Sequence, residues 1–315
     1  MSVSGIETER QHRRRTAKAD EERVHYSRWF WPSFTLPAGI WLMVLFLLPL
    51  YTVVSIAFGT VDPIFRNPLP IYQPWWWSGQ QFAEVFQDSV TIYGHVYLHT
   101  FEYVVLASIV CLVIAYAVAY YVARYGGKRK ALLLSLLIAP FFISYLMRMV
   151  AWINLLDTHG YVNRLLTTLH LIPQPVEWLG GLPFTVVMGL VYGYIPYMIL
   201  PLYAFLDRID PNLMEAGRDL GAGPARTFLR VTLPLSLPGV AAAFVFVFVP
   251  TIGEFVTPQL VGGTKGFLFG NAINDRFTKA LDWQSGSVMA FFLLAVVALL
   301  MAVFGRFTQV RNVRT

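Results

Sequence analysis

The chain has 315 residues, of which 56% are hydrophobic and 13% are charged, and its mean hydropathy is +0.55. A soluble domain carries roughly 25% charged residues, so this composition excludes a single soluble globular domain. Apolar runs of about 20 residues recur and predict an all-α polytopic membrane protein. The net charge of +6 does not indicate a nucleic-acid partner, because the basic residues segregate by membrane side. Cys111 is the only cysteine, which excludes an intrachain disulfide.

Residues 1–28 are polar and strongly charged, and they predict a solvated tail that precedes a membrane domain over residues 29–315. No small-residue cleavage site follows the first apolar run, so we expect no cleavable signal peptide. Trp29 and Trp31 stand at the start of that run, where indole rings favour the membrane–water interface.

Six apolar segments predict six transmembrane helices. In chain order they are about Phe34–Phe58, Val96–Arg124, Ala131–Leu156, Phe184–Leu206, Leu235–Val256 and Val288–Phe307. Between the first two, residues 59–94 contain spaced prolines and three consecutive tryptophans. This stretch predicts an irregular extramembrane segment with one short helix near Gln80–Asp88.

The distribution of basic residues predicts the orientation. With six spans, 18 Lys and Arg residues fall on the side of both termini and five on the opposite side, while Arg148 lies inside the third span. Because cytoplasmic loops carry the excess of Lys and Arg, both termini and the loop at about residues 210–234 are predicted to be cytoplasmic.

That loop is the only sizeable polar block between two apolar segments in the second half of the chain. Asp210 can cap a helix that Pro211 begins, since a proline at the first position lacks only an N–H that would be unpaired anyway. Gly221 follows the last apolar position of this helix, where a residue with positive φ is favoured. Pro224 begins a second short helix. The pattern predicts two short amphipathic helices joined by a glycine turn.

The spacing within this loop resembles the EAA loop of the permease subunits of ABC importers. Glu215-Ala216-Gly217 is followed by three residues, Gly221, nine residues and Val231-Thr232-Leu233-Pro234. Gly217 stands where that family normally has Ala, and Val231 where it has Ile. The resemblance implies a helix that docks on a cytoplasmic ATPase. It assigns this coupling role to Glu215, Ala216, Gly217, Arg218, Asp219 and Gly221.

Further runs resemble permeases of the spermidine/putrescine type: RMVAWIN at 148–154, GYVN at 160–163 and PTIGEFVTPQLVGG at 250–263. The resemblance covers about Leu36 to Phe307 and implies six spans of the type I importer fold. It also implies transport of polyamines or a related cationic solute through the inner membrane. The implied partners are an ABC ATPase dimer, a second permease subunit and an extracytoplasmic substrate-binding protein, besides membrane lipid. ATP and Mg²⁺ would bind the ATPase, with no cofactor on this chain and no enzymatic activity of its own.

Three ionisable residues, Glu102, Arg148 and Glu254, lie within or near the spans, where charges usually face a cavity or a partner. Along one straight helix, Arg148 would lie about 27 Å beyond Lys130, near the outer surface. Glu254 is the favoured pathway residue, because Pro250 and Gly253 break the helix beside it. The alternative is that these groups reach water or pair with one another, with Arg148 against a carboxylate.

Tyr192, Tyr194 and Tyr197 surround Pro196 in the fourth span. Tyr194 and Tyr197 are candidates for cation–π contact with an organic ammonium ion, and simple packing at a helix interface is the alternative. His95, His99 and Glu102 share a helix face at zinc-binding spacing, but no fourth ligand accompanies them.

Other classes of function stay open at this point. The same type of loop also occurs in permeases for thiamine, iron, sulfate, opines or sugars. A secondary transporter would usually show an internal repeat, and a membrane-embedded enzyme would need catalytic or metal-binding residues clustered at one depth. Neither of these two accounts for the spacing of the loop.

Overall fold

The computed structural model describes residues 30–62, 64, 67–263 and 265–308, so the predicted tail at 1–28 lies outside the described residues. The described residues divide into two units, one before and one after the boundary between Val53 and Val54. The long helices are α1 (Phe30–Ala57), α2 (Gly79–Tyr125), α6 (Pro183–Asp207), α9 (Leu233–Ile252) and α12 (Trp283–Thr308). The shorter helices are α3 (Lys130–Ile138), α4 (Tyr145–Leu156), α5 (Tyr161–Thr168), α7 (Pro211–Asp219), α8 (Pro224–Thr227), α10 (Val256–Val261) and α11 (Phe269–Thr278).

Five of the described helices are long and apolar enough to cross a membrane. They comprise residues 35–57, 82–125, 183–207, 224–252 and 283–303, and the bent pair 127–142 and 145–168 makes a sixth span when it is counted as one. The predicted all-α polytopic fold is confirmed.

The third span is not the straight helix predicted over Ala131–Leu156. α3 ends at Ile138, a 3₁₀ turn follows at Ala139–Phe142, and the two halves of the span are bent by 84°. Pro140 explains why α3 gives way to the 3₁₀ turn, because proline lacks the N–H that would continue the α-helix and its ring clashes with the preceding turn. The bend itself follows at Ile143 and Ser144, whose ψ angles of 140° and 136° are not helical. The straight axis from Lys130, on which the predicted depth of Arg148 depended, is therefore wrong.

The main core lies between α2 and α6. On α2, small side chains recur every four residues and are almost completely buried: Ala107, Cys111, Ala115, Ala119 and Ala123. Large apolar side chains of α6, including Leu190, Met198, Leu202 and Leu206, belong to the same cluster. Small residues at this spacing let two helices approach closely inside a membrane. Cys111 belongs to this series and serves there as a small buried side chain.

The segment between α1 and α2 is shorter than predicted. β1 (Thr60–Val61) and β2 (Pro68–Leu69) form a small antiparallel ladder, and a 3₁₀ turn follows at Pro74–Trp76. The short helix predicted near Gln80–Asp88 is not separate, because α2 runs without interruption from Gly79. The ring of Phe82 stacks at 4.7 Å on Phe58 and so attaches this extension to the end of the preceding helix.

The predicted second helix of the polar loop is likewise not a separate element. α8 continues through a π-helical turn at Phe228–Thr232 into α9, so the loop passes directly into the fifth span. That span ends at Ile252, and α10 begins only at Val256. The break predicted at Gly253 and Glu254 is therefore present.

Two glycines of α6 allow short elements of the third and fifth spans to approach it. A Cβ atom at Gly189 would lie 2.6 Å from Cγ2 of Thr257 in α10. One at Gly193 would lie 2.9 Å from the ring of Tyr145 in α4. Both distances are shorter than carbon atoms tolerate, so these contacts depend on the missing side chains.

We predict that Gly193→Ala destabilises the protein by about 1–3 kcal/mol, because the new methyl group must displace the Tyr145 ring in a packed region. Thermal unfolding of the purified chain in detergent measures this loss. Gly94→Ala is the matched control, since no atom lies within 4 Å of its new Cβ, and it should be neutral or stabilising by up to about 1 kcal/mol. Equal unfolding temperatures for Gly193→Ala and Gly94→Ala would contradict the close approach.

Candidate functional site

The first part of the polar loop, residues 210–222, folds locally as its sequence predicts. The Asp210 carboxylate accepts a hydrogen bond from the backbone N–H of Asn212 at 2.9 Å and so caps α7. Gly221 has φ of +80°, a conformation that glycine adopts without the steric penalty of a Cβ atom. The N–H of Ala222 bonds the carbonyl oxygen of Gly217 and closes the turn.

α7 has no buried residue, and its faces have different surroundings. Leu213 and Leu220 are 47% and 89% exposed, and Ala216 and Asp219 are also exposed. Gly217 instead faces Thr227, and a Cβ atom at this position would meet the threonine methyl group at 3.5 Å, an ordinary contact. The alanine usual at this point in the resembling family therefore fits the fold as well.

Glu215 and Arg218 lie on a third face of α7, which borders a cavity of about 330 Å³. The opposite wall of this cavity is the end of α2, with Arg124. Of the six residues predicted to couple to an ATPase, Glu215 and Arg218 therefore border a cavity of this chain, and both are exposed, as are Ala216 and Asp219.

The break in the fifth span is organised by Glu254. Its Oε1 accepts hydrogen bonds from the backbone N–H groups of Val256 and Thr257 at 2.8 and 3.0 Å, and so caps α10. Its Oε2 accepts a hydrogen bond from the hydroxyl of Tyr194 in α6 at 2.5 Å. The carboxylate thus joins the two halves of the broken span to the central helix.

Arg148 and Glu254 are both described, and they form no ion pair with each other, so the alternative that they pair is wrong. The guanidinium lies over aromatic rings, at 4.4 Å from the centroid of Phe141, 5.4 Å from Tyr145 and 5.6 Å from Tyr192. Tyr145 continues toward the break, where its hydroxyl forms a hydrogen bond with the hydroxyl of Thr257.

Tyr197 lies beside this group, with its ring 6.2 Å from that of Tyr194. The two tyrosines line a cavity of about 500 Å³ together with Phe246, Val249 and Pro250 of α9. The lining is almost wholly apolar, and polar character enters through the tyrosine hydroxyls. The structure therefore brings four of the five predicted pathway residues into one region.

Glu102 is the exception. It is exposed on α2, 23 residues after the helix begins, and therefore about 34 Å along its axis. The depth of Glu102 within its span stays a prediction, because α2 has 47 residues and is longer than a bilayer requires. His99, which shares its face, packs its ring 4.1 Å from that of Tyr103. Among the residues that the structure describes, no group of three His, Cys, Asp or Glu side chains is placed to hold a metal ion.

Sequence reasoning did not single out Tyr145, Thr257 or Arg124. Tyr145 precedes Arg148 by three residues, which places both on one helix face, so helical spacing was a usable signal for it. The contact of Thr257 with Tyr145 spans 112 residues of sequence, and no local pattern encodes such a pair.

Residues 112–312 match the family described as the binding-protein-dependent transport system inner membrane component. The match spans well over half of the chain, and the chain belongs to this family. It is therefore a multi-pass inner-membrane permease component of an ABC importer, not an enzyme, and it works with a separate ATPase and a binding protein.

Individual relatives agree with this classification. The chain is 37% identical over 221 residues to the spermidine/putrescine transport system permease protein PotB of Escherichia coli (strain K12), covering 70% of this chain and 80% of the relative. It is 32% identical over 272 residues to the protein of the same description from Haemophilus influenzae, covering 86% and 92%. A bacterial alginate ABC transporter in complex with its pentasaccharide-bound periplasmic protein contains a chain of the same fold, with a TM-score of 0.72 and 17% identity over 91% of this chain and 96% of that one.

We predict that Gly221→Val abolishes solute uptake while the chain still inserts into the membrane. A β-branched residue resists the φ of +80° that the turn requires, so α7 would lose its position at the surface. Glu215→Lys should have the same effect by reversing a charge on α7. Uptake and co-purification of the ATPase with the permease measure both outcomes.

Gly223→Val is the matched control for the turn. Gly223 has φ of −65° and ψ of 166°, a conformation open to valine, and nothing lies within 4 Å of its missing Cβ. Uptake should survive this change. Full uptake and ATPase yield with Gly221→Val would show that the turn does not position a docking helix.

Proposed function

We propose that this chain forms part of the translocation pathway for polyamines such as spermidine and putrescine in an ATP-driven importer. The observation that carries the proposal is the 32–37% identity to permeases described as spermidine/putrescine transport proteins, over most of both chains. Its second permease subunit is a paralogue. ATP and Mg²⁺ bind on the ATPase, and the coupling loop at 210–234 transmits the movement of the ATPase dimer to the spans.

The chemistry near the break in the fifth span supports an organic cation as the solute. Removing an ammonium group from water is unfavourable unless a carboxylate or an aromatic face replaces the hydration. Glu254 supplies a carboxylate, and Tyr194 and Tyr197 supply rings beside a cavity of about 500 Å³. This apolar wall suits the methylene segments of a polyamine.

The coupling role rests on the exposed apolar face of α7 and on its connection to the fifth span. Leu213, Ala216 and Leu220 form an exposed apolar face suited to a groove on an ATPase. Because the loop continues through α8 and the π-helical turn into α9, a displacement of α7 is passed along one connected backbone. The far end of α9 is the break at Glu254, so one helix links the proposed docking surface to the proposed pathway.

We predict that Glu254→Gln lowers ATP-driven polyamine uptake at least about tenfold, the effect of losing one charge-assisted contact. The glutamine carbonyl oxygen can still accept the two backbone hydrogen bonds at α10, so assembly and basal ATPase activity should survive. Uptake of labelled spermidine and putrescine by the reconstituted transporter measures the effect.

Tyr194→Phe separates charge from hydrogen bonding. It removes the hydroxyl that donates to Glu254 but keeps both the carboxylate and an aromatic face, so its uptake should stay well above that of Glu254→Gln. Wild-type uptake by Glu254→Gln would remove this carboxylate from the pathway. Equal losses in both variants would assign Glu254 a purely architectural role.

A further inference from the structure

The cavity beside α7, the proposed coupling helix, is lined by Arg124, whose guanidinium group has donors without an acceptor. Arg124, in the last turn of α2, donates one hydrogen bond from Nη1 to the carbonyl oxygen of Ile209 at 3.0 Å. Its Nε and Nη2 atoms are buried and have no hydrogen-bond partner among the described residues. A buried donor without an acceptor is destabilising by about 1–3 kcal/mol, and by more when it is charged. The guanidinium therefore favours an acceptor that enters the cavity.

The charges that line this cavity favour an anion. Lys130 and Asp207 neutralise each other through an ion pair at 2.6 Å. Of the remaining ionised lining residues, Arg124 and Arg218 are positive and Glu215 is negative, which leaves an excess of positive charge. The side chain of Arg218, on α7, forms no hydrogen bond or ion pair within the described part of the chain. Two guanidinium groups on facing helices are suited to the oxygens of one phosphate group.

The turn that follows α2 adds to this positive potential. Lys128 and Arg129 are exposed directly beside the cavity lining residue Gly127. They belong to the most basic of the short turns that connect the spans, so an anion is drawn to this end of α2 before it reaches the cavity.

The location of the cavity identifies the source of the phosphate. Tyr121 and Tyr125 are 58% and 66% exposed in the last turns of α2, and their rings stack with centroids 5.8 Å apart. Exposed tyrosines at the end of a span lie at the level of the lipid headgroups. On α3, which follows the basic turn, Leu132 and Leu136 are 59% and 61% exposed, as side chains facing acyl chains would be. A phosphate group at this depth belongs to a lipid.

We propose that this cavity binds the headgroup phosphate of an anionic phospholipid between Arg124 and Arg218. The lipid comes from the leaflet on the side of the coupling loop. Its phosphate satisfies the free Nε and Nη2 donors of Arg124 and joins the end of the second span to α7. Anionic lipid thereby stabilises the position of the coupling helix against the membrane. This site is independent of the transported solute.

The test uses the full-length permease in zwitterionic detergent, titrated with short-chain phosphatidylglycerol, phosphatidylcholine of the same chain length, or inorganic phosphate. Binding is followed by native mass spectrometry and by the unfolding temperature. Phosphatidylglycerol should bind and raise the unfolding temperature, while phosphatidylcholine and inorganic phosphate should do neither. Arg124→Gln and Arg218→Gln should each weaken phosphatidylglycerol binding at least about tenfold.

Arg218→Gln keeps the proposal testable if Arg124→Gln fails to fold, because the side chain of Arg218 donates no hydrogen bond within the described fold. Arg230→Gln is the control for charge alone, since Arg230 is exposed and does not line the cavity, and its affinity should equal that of the wild type. Unchanged affinity in Arg218→Gln, or equal binding of phosphatidylcholine, would overturn the site. Stabilisation by inorganic phosphate to the same extent would overturn the lipid as its ligand.

Discussion

The carboxylate of Glu254 resolves a conflict that a broken helix creates inside a membrane. Wherever a span is interrupted, backbone N–H groups lose their helical partners, and in hydrocarbon each is destabilising by several kcal/mol. Glu254 accepts hydrogen bonds from two such groups at the start of α10 and takes a third from Tyr194 on α6. The interruption is thereby held at a defined place against α6, the most buried of the five long spans described.

The same interaction depends on small residues elsewhere. Tyr145 and Thr257 reach each other only because α6 has glycines at 189 and 193, where any side chain would collide with them. On its other side, α6 packs against the alanine stripe of α2. Small residues therefore occur at the contacts on both sides of α6, its own glycines on one side and the small residues of α2 on the other. In this central span, 61% of the most apolar stretch is buried. Polar chemistry near Glu254 and apolar packing on α2 are two consequences of one close assembly.

The sequence predicted those features that local rules determine. The cap at Asp210, the positive φ at Gly221, the break after Ile252 and the apolar spans follow from short-range chemistry, and all are present. The end of α3 before Pro140 could also have been predicted, because a proline inside an apolar run marks a candidate helix end. A straight span was nevertheless predicted, because hydropathy indicates the length of an apolar segment but not where its helix bends.

Side-chain partners could not be predicted in the same way. Glu254 and Arg148 have opposite charges and comparable positions in their spans, which made an ion pair reasonable. The 84° bend instead turns Arg148 toward Phe141, Tyr145 and Tyr192, and Glu254 takes Tyr194. The start of α2 shows the same limit, because its extension before the apolar stretch depends on aromatic contacts with distant segments.

The central claim is that this permease moves an organic cation with energy from a separate ATPase. The most direct measurement is uptake by proteoliposomes that contain the complete wild-type transporter and its binding protein, with ATP inside or absent, for spermidine, putrescine, thiamine, sulfate and an alginate oligosaccharide. The account predicts ATP-dependent uptake of the two polyamines and none without the ATPase. Preferential uptake of an anion, or polyamine uptake by the permease without the ATPase, would contradict it.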